Sequence, residues 1–153
     1  MAAANPASTA EDGGSRLWRT VFRMVLGIPR SVMEVVRRKV PNNPITEVLI
    51  VGRKTGIERS YLFGVFEIAG KWYVGHPNGR SQWSRNLEVV GRATVVLDGH
   101  RVPMKATILD AGSERSAVIA ATATSPFPAG LVYGAARAHI ERVGTYFRLE
   151  PVG

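Results

Sequence analysis

The sequence predicts an α+β protein in which short strands form a small barrel flanked by helices. Two kinds of pattern carry this prediction. Runs of β-branched and aromatic residues, separated by glycine-containing turns, occur between Ile45 and Val74 and again towards the C-terminus. Segments with apolar residues at helical spacing precede and separate these runs. A third observation is the turn Gly52-Arg53-Lys54-Thr55-Gly56, which joins two of the strands and concentrates positive charge.

Composition limits the class of protein and its partners. A chain of 153 residues forms one domain with a sizeable core, and 45% hydrophobic with 21% charged residues is typical of a soluble globular protein. There is no cysteine, so disulfides, thiolate metal sites and a cysteine nucleophile are excluded, which fits a reducing cytoplasm. The three histidines lie far apart and match no zinc motif, and we therefore predict no metal site.

The net charge of +8 predicts attraction to an anionic partner. A phosphorylated cofactor, a membrane surface and nucleic acid all meet that description. The sequence contains no zinc-finger spacing, no RNP-like aromatic motif and no helix-turn-helix pattern. We therefore expect no specific binding of nucleic acid.

The N-terminal part of the chain precedes the barrel. Residues 1–15 have no apolar periodicity, which predicts a disordered leader. Residues 16–44 are predicted to form an amphipathic helical arm that is interrupted at Pro29. Ser31 and Glu34 match a capping box at the start of its second helix.

Two alternatives remain for the amphipathic segment of residues 16–40. It is too short and too often interrupted by arginine to span a bilayer. Its apolar face packs on the barrel or on a second subunit in the first alternative, which is the commoner fate of such a helix. In the second, the arm is a peripheral membrane contact at the inner face of the cell membrane, with Trp18 and Phe22 at the acyl boundary.

Residues 45–153 are predicted to form the barrel domain. Asp98-Gly99 predicts a tight hairpin turn, and Ser81 predicts the N-cap of a short helix. Gly64, in the middle of a predicted strand, indicates either a bend in the barrel or a close approach of a ligand to the backbone. We expect strands over residues 48–51, 59–66, 71–74, 93–97, 101–109 and 145–149, and helices over residues 81–90, 114–124 and 131–143.

The turn between the first two strands is the strongest candidate for a binding site. Its two glycines allow positive φ, so Arg53, Lys54 and the nearby Arg59 are gathered around one turn with backbone N–H groups pointing outward. Such a cluster suits a phosphate or a carboxylate. The alternative is an ordinary hairpin turn with solvated basic residues. The glycine spacing and the lysine position do not match a Walker loop.

Four pieces of this region follow one another in order: the Gly52–Gly56 turn, Arg59, Asn78-Gly79, and Trp83 followed by Asn86-Leu87. Together they resemble the deazaflavin (F420)-dependent nitroreductase family, actinobacterial proteins of the FMN-binding split β-barrel superfamily. The resemblance covers roughly residues 45–110. It implies a split β-barrel of the pyridoxamine-phosphate-oxidase-like type and the cofactor F420, with FMN less favoured. It also implies a homodimer and hydride transfer to a lipophilic quinone, enone or nitroaromatic substrate.

The resemblance further implies roles for individual residues. Trp83 would cover the cofactor, although core packing is its ordinary alternative. Asn86 would fix the helix and loop through hydrogen bonds. Tyr133 and His76 are the candidates for the catalytic proton donor, with half-buried structure as the alternative for Tyr133. The phosphate or tail carboxylates would be held by Arg53, Lys54, Thr55, Gly56 and Arg59, and the ring would be approached by Pro77, Asn78 and Gly79.

The sequence also departs from the family pattern. His76 and Pro77 stand where relatives often have small residues, and the C-terminal tyrosines are reduced to Tyr133 and Tyr146, so activation of nitroimidazoles is not expected. Residues 117–131 predict a roomy apolar pocket. Two other functions therefore stay open: a non-catalytic binding protein for a fatty acid or another lipophile, and a basic module that binds anionic surfaces through electrostatics alone.

Overall fold

A computed structural model of the chain describes residues 6–126 and 129–152, with side chains described from residue 15 onward. This part of the chain contains seven strands and six helices. In chain order they are α1 (Pro6–Leu26), α2 (Arg30–Lys39), β1 (Ile45–Val51), β2 (Glu58–Gly64), β3 (Phe66–Ile68), β4 (Lys71–His76), α3 (Gln82–Val90), β5 (Arg92–Leu97), β6 (His100–Ile108), α4 (Ser113–Thr122), α5 (Ala129–Ala135), α6 (Arg137–Val143) and β7 (Thr145–Pro151).

The strands form one antiparallel sheet in the order β2-β1-β5-β6-β7-β4-β3. Its two outermost strands, β2 and β3, are consecutive in sequence and are separated by Val65 alone. The sheet must therefore curl until its edges meet at that residue, which produces a half-barrel. The α+β prediction with flanking helices is confirmed.

The junction at Val65 explains Gly64. The strand predicted over residues 59–66 is two strands, and the Val65 N–H donates to the Pro44 carbonyl (2.9 Å) in register with the β1–β2 pairing, just beyond its last pair, Ile45 and Gly64. A Cβ atom at Gly64 would lie 3.0 Å from the Phe66 ring. Of the two alternatives for Gly64, the structure shows the bend in the barrel.

Two hydrophobic clusters fill the molecule. The first lies inside the barrel, where fully buried residues such as Val48, Val95 and Phe147 come from different strands. The second lies between the sheet and helices α1, α4 and α6, and its members include Phe22, Ile119, Ile140 and Tyr146. Helix α1 therefore contributes to the core through Phe22, which is completely buried.

The N-terminal arm differs from its prediction in two respects. Helix α1 begins at Pro6, so residues 6–15 are helical rather than a disordered leader; residues 1–5 lie outside the described residues. Helix α2 begins at Arg30 with Pro29 at the N-cap, and no side chain caps it, so the capping box at Ser31 is not formed. Proline has the φ that a helix start requires, and the Pro29 carbonyl accepts the first N–H bonds.

The packing of α1 favours the first alternative for residues 16–40. Phe22 is buried and Trp18 half-buried against the second cluster, so neither is free for an acyl boundary in this arrangement. Leu17 and Met24, in contrast, are 62% and 76% exposed. None of the described helices is both long and apolar enough to cross a membrane. Peripheral membrane contact through this arm stays a prediction.

Some of the turns and helix ends predicted for the barrel domain are confirmed, and others differ in the structure. Ser81 caps α3 in a capping box with Ser84, and Asp98 and Gly99 both have positive φ (50° and 78°), as a type I′ hairpin requires. The helix predicted over residues 114–124 is α4, which begins at Ser113 and ends at Thr122, with Gly112 at the N-cap and no side-chain cap. The helix predicted over residues 131–143 is divided into α5 and α6 at Ala136.

Candidate anion-binding site

The β1–β2 turn has the tight geometry that its glycines predict. The Gly52 N–H donates to the Ile57 carbonyl and the Gly56 N–H to the Gly52 carbonyl, each at 2.9 Å. Gly56 has φ of 68°, and a Cβ atom on Gly52 would lie 2.5 Å from the Thr55 hydroxyl oxygen. That oxygen also accepts a hydrogen bond from the Ile57 N–H (3.2 Å). Larger residues at either glycine would therefore distort the turn.

Helix α3 holds Arg53 at this turn through two amide side chains. The Asn86 Oδ1 accepts hydrogen bonds from the Arg53 backbone N–H (3.2 Å) and from its Nη1 (2.7 Å). The Gln82 Oε1 accepts a third hydrogen bond from Nη1 (3.2 Å). Because both partners are neutral, the guanidinium group is oriented while its charge is not cancelled.

A cavity of about 200 Å³ lies between this turn and α3. Three basic residues line it and no carboxylate does. Lys54 and Arg59 are exposed and take part in no ion pair within the described ranges. The neighbouring Glu58 pairs instead with Arg101 at 2.6 Å. The lining residues are Gly52, Arg53, Lys54, Thr55, Arg59, Tyr61, Gln82 and Asn86.

The two sides of α3 serve different purposes. Gln82 and Asn86, four residues apart, face the turn. Trp83 and Leu87, also four residues apart, pack into the barrel cluster, where Trp83 stacks on Phe63 with ring centroids 4.6 Å apart. The packing of this helix therefore fixes the position of the amide oxygens that hold Arg53.

His76 ends β4 and lies beside Trp83, with ring centroids 6.1 Å apart. Its Nδ1 accepts a hydrogen bond from the Asn78 backbone N–H (3.2 Å). Burial lowers the pKa of His76 below 6.5, so the ring is neutral at pH 7. Since Nδ1 is an acceptor, the single proton of the neutral ring is on Nε2.

The loop after His76 is held by helices rather than by the basic turn. The Asn78 Nδ2 donates to the Arg19 carbonyl of α1 (3.3 Å), and its Oδ1 lies 3.0 Å from the His139 Nε2 of α6. Pro77 is buried, and Gly79 has φ of 106°, which favours glycine. Asn78 does not line the basic cavity.

Tyr133 lies in α5 and belongs to the second cluster, with its ring 5.8 Å from that of Phe22. Burial raises the pKa of its hydroxyl. In the segment of residues 117–131, where a roomy pocket was expected, Val118 and Ile119 are each 1% exposed and pack into the second cluster, while Leu131 is 66% exposed. Phe127 lies outside the described residues.

The structure thus brings together only part of the predicted site. Arg53, Lys54, Thr55, Arg59 and Asn86 line one cavity, and Gly56 closes its turn. Sequence reasoning missed Tyr61 and Gln82. Both carried a usable signal, because Tyr61 follows Arg59 at the strand period of two and Gln82 precedes Asn86 by one helical turn.

A second cavity, of about 400 Å³, lies at the start of α4 and was not predicted. Its one basic lining side chain is already paired, because Arg148 binds both oxygens of Glu114 at 2.9 and 3.0 Å and binds Glu150 at 2.8 Å, and Asp110 adds a second carboxylate to the lining. The smaller cavity is therefore the better anion site. Among the residues that the structure describes, no group of three or more His, Asp or Glu side chains could hold a metal ion.

Comparisons with solved structures support the fold. One similar structure, a domain-swapped dimer, has a TM-score of 0.57 at 21% identity and covers 78% of this chain and 96% of its own. HutZ, the heme storage protein from Vibrio cholerae, has a TM-score of 0.55 at 16% identity, with 81% and 90% covered. The F420-H2-dependent reductase FDR-A has a TM-score of 0.51 at 18% identity, with 70% and 94% covered.

These similarities define the half-barrel as a split β-barrel, as predicted. No protein-family profile and no curated protein matches the sequence. At these identities the similarity establishes the fold. The neighbours include a reductase and a heme storage protein, so function must be argued from the site.

Proposed function

We propose that this protein is an F420-dependent oxidoreductase that reduces a lipophilic electrophile such as a quinone, enone or nitroaromatic compound. The observation that carries the proposal is the cavity at the β1–β2 turn, which is lined by Arg53, Lys54 and Arg59 and by no carboxylate. Three positive charges with no carboxylate among the lining residues suit an anionic ligand, and F420 carries a phosphate and an oligoglutamate tail. The similarity in fold to an F420-H2-dependent reductase gives further support.

The size of the cavity limits which part of the cofactor it would hold. At about 200 Å³ it is smaller than a typical pocket for a whole drug-sized ligand, which takes roughly 300 Å³ or more. It suits a phosphate or carboxylate group. Lys54, Arg59 and the Thr55 backbone N–H would bind this group. Gly56 would keep the turn closed through its bond to the Gly52 carbonyl, and Asn86 would orient Arg53 towards the group.

The remaining residues would surround the ring and the substrate. When bound, the deazaflavin supplies the hydride, and the protein supplies position and shielding from water. Pro77, Asn78 and Gly79 would let the backbone approach the ring, and Trp83 would form a wall that is already rigid because it stacks on Phe63.

His76 is the better of the two candidate proton donors. Its neutral ring carries the proton on Nε2, which can donate a hydrogen bond to negative charge that develops on a substrate oxygen. Tyr133 is the second candidate. It lies in the second cluster beside Phe22, and its raised pKa makes it a weaker acid.

Titration with F420, followed by cofactor fluorescence, tests the proposal. We expect saturable binding by the wild type and an approximately tenfold higher Kd for Lys54→Ala, since a charge-assisted hydrogen bond contributes about 1.5 kcal/mol or more. Lys105→Ala is the matched control, because Lys105 is exposed on β6 and does not line the cavity. Competition with FMN and with inorganic phosphate measures how much of the affinity comes from the anionic group.

Absence of binding by the folded wild type would refute the cofactor assignment. Equal losses in Lys54→Ala and Lys105→Ala would refute the site. Binding without oxidation of reduced F420 by quinones or enones would favour the second candidate, a non-catalytic carrier of a lipophile. The engagement of the Asn78 side chain by α1 and α6 favours that candidate, since this side chain is then not free to contact the ring.

We also propose that the protein forms a homodimer and that it is located in the cytoplasm. The domain-swapped dimer among the similar structures supports the dimer. The cytoplasm is where we expect a reduced cofactor of this kind.

A further inference from the structure

A chain of hydrogen bonds connects helix α1 to the loop that follows β4. Ser15 Oγ lies 3.3 Å from His139 Nδ1, and His139 Nε2 lies 3.0 Å from Asn78 Oδ1. The Asn78 Nδ2 donates a hydrogen bond to the Arg19 carbonyl of α1 at 3.3 Å. The Asn78 backbone N–H then donates to His76 Nδ1 at 3.2 Å.

The direction of each hydrogen bond follows from its neighbours. The Arg19 carbonyl can only accept, so the Asn78 amide must present its NH₂ group there and its oxygen to His139. His139 Nε2 must therefore donate. The neutral ring then accepts from the Ser15 hydroxyl at Nδ1. Burial, together with Arg19 and Arg142, lowers the pKa of His139 and favours this neutral form.

Asn78 forms hydrogen bonds both with the helices and with His76. Its side chain is held by α1 and α6, and its backbone N–H determines which nitrogen of His76 accepts. A backbone N–H is only a donor, so His76 keeps its proton on Nε2 as long as Asn78 stays in place. If the Asn78 side chain were released, both tautomers of His76 would become accessible.

Apolar contacts alone would not fix the position of Asn78 relative to α1. Phe22 seats α1 in the second cluster, with its ring stacked on that of His139 at 6.0 Å, but dispersion contacts are not directional. The hydrogen bonds of Ser15 and Asn78 set the register of α1 against the loop. Ser15 and His139 are 9% and 5% exposed, so water competes little for the bond between them, while the bond from Asn78 to Arg19 is exposed.

We propose that helix α1 positions His76, and that Ser15 and His139 act through Asn78 to keep the His76 proton on Nε2. Ser15 and His139 are positioning residues, since neither contacts His76. The value of this arrangement for catalysis rests on the proposed function, in which His76 donates from Nε2. The arrangement itself does not depend on a cofactor.

Long-range ¹H–¹⁵N spectra of the imidazole rings test the proposal directly in the cofactor-free protein. The three histidines are few enough to assign, and exposed His100 serves as an internal reference. In the wild type we expect His76 to show one tautomer, protonated at Nε2. In His139→Phe, which retains a ring against Phe22, we expect the two His76 nitrogen shifts to move towards each other as the tautomers exchange.

Two further variants keep the test decisive if His139→Phe disturbs folding. Ser15→Ala removes only the outermost hydrogen bond, and we expect a smaller shift of the His76 signals in the same direction. Thr20→Ala is the matched control on α1, because the Thr20 hydroxyl bonds only within its own helix, to the Arg16 carbonyl. An unchanged His76 tautomer in both His139→Phe and Ser15→Ala would overturn the proposal.

Kinetics connect the arrangement to the proposed function. If His76 is the proton donor, His139→Phe lowers kcat in proportion to the loss of the Nε2-protonated tautomer, about twofold where the two tautomers are equally populated, and changes the Kd for F420 less than Lys54→Ala does. Loss of F420 binding in the wild type would refute the proposed function and leave the spectroscopic result intact. A shifted tautomer with unchanged kcat would retain α1 as the element that positions His76 and remove His76 from catalysis.

Discussion

Asn86 illustrates how one residue can define the electrostatics of a site without carrying charge. Its side-chain oxygen accepts two hydrogen bonds from Arg53, one from the backbone and one from the guanidinium group. The sequence resemblance assigned Asn86 a fixing role, but the partner, 33 residues away, could not be identified without the fold. A carboxylate in the same position would hold Arg53 equally well and cancel its charge.

Substitutions at Asn86 therefore separate the stability of the turn from its charge. For Asn86→Asp we expect the melting temperature to remain within a few degrees of the wild type, while the affinity for F420 falls at least about tenfold because a negative charge faces the cavity. For Asn86→Ala we expect both the melting temperature and the affinity for F420 to fall. The free energy of unfolding should fall by about 1–3 kcal/mol, since the Arg53 N–H loses its partner. Calorimetry and fluorescence titration measure the two effects. Equal affinity in Asn86→Asp and wild type would contradict the assigned site.

At the scale of elements, Arg115 joins α4 to the C-terminal end of α6. Its guanidinium group donates to the carbonyls of Glu141 (2.8 Å), Gly144 (2.7 Å) and Ile140 (3.3 Å), and it is 7% exposed. The last carbonyls of a helix lack partners within the helix, so a buried donor at this position stabilises the end of α6.

Replacing Arg115 with Met should lower the free energy of unfolding by about 2–4 kcal/mol, because one buried and two partly buried carbonyl groups lose a charged donor. Urea unfolding followed by circular dichroism measures the change, and the m-value should stay constant. Arg137→Ala is the control. Its pair with Glu141, at 3.9 Å, is exposed and should contribute less than about 0.5 kcal/mol. A loss below 1 kcal/mol for Arg115→Met would show that water replaces the guanidinium group.

The prediction of elements succeeded where the local pattern was complete. The β5–β6 hairpin followed from Asp98-Gly99, and α3 followed from Ser81 and the spacing of Trp83 and Leu87. The prediction failed where packing between segments that are distant in sequence determines the local structure. The predicted leader is helical from Pro6 in this fold, and the Ser15 side chain in that segment is held by His139 of α6.

At the scale of the whole molecule, an ion-pair cluster joins α4 to the sheet. Glu114 of α4 accepts hydrogen bonds from Arg148 of β7 and from the hydroxyl of Tyr73 in β4 (2.9 Å). The hydrogen bonds from Arg148, followed by the one from Tyr73, hold the pKa of Glu114 below its ordinary value of 4.5. A depressed pKa in the folded state means that the carboxylate stabilises the fold above pH 4.5, and that this contribution is lost as the pH falls through the folded-state pKa.

Acid unfolding tests this linkage. Between about pH 5 and pH 2 the wild type should lose stability more steeply than Glu114→Gln, which cannot titrate at this position. Melting temperatures across that range measure the difference. The control is Glu88→Gln, which removes an exposed pair with Arg80 (3.5 Å). Parallel pH profiles for Glu114→Gln and wild type would contradict the assigned contribution.

The sequence by itself determined the features that depend on neighbouring residues. These are the α+β class, the approximate positions of every described strand except β3, the tight turn with Arg53 and Lys54, and the excess of positive charge. Each follows from a period, a turn dipeptide or a composition that a short window contains. The split barrel itself came from the resemblance of four such pieces, and the solved structures support it.

Only the tertiary structure decided which residues meet. It joined the sheet edges at Val65, placed Gln82 and Asn86 against Arg53, and brought Asn78 to α1 and α6 instead of to the basic cavity. These contacts depend on strand register and on the curvature of a sheet whose neighbours lie far apart in sequence. No local pattern encodes that curvature, because it results from packing the whole barrel at once.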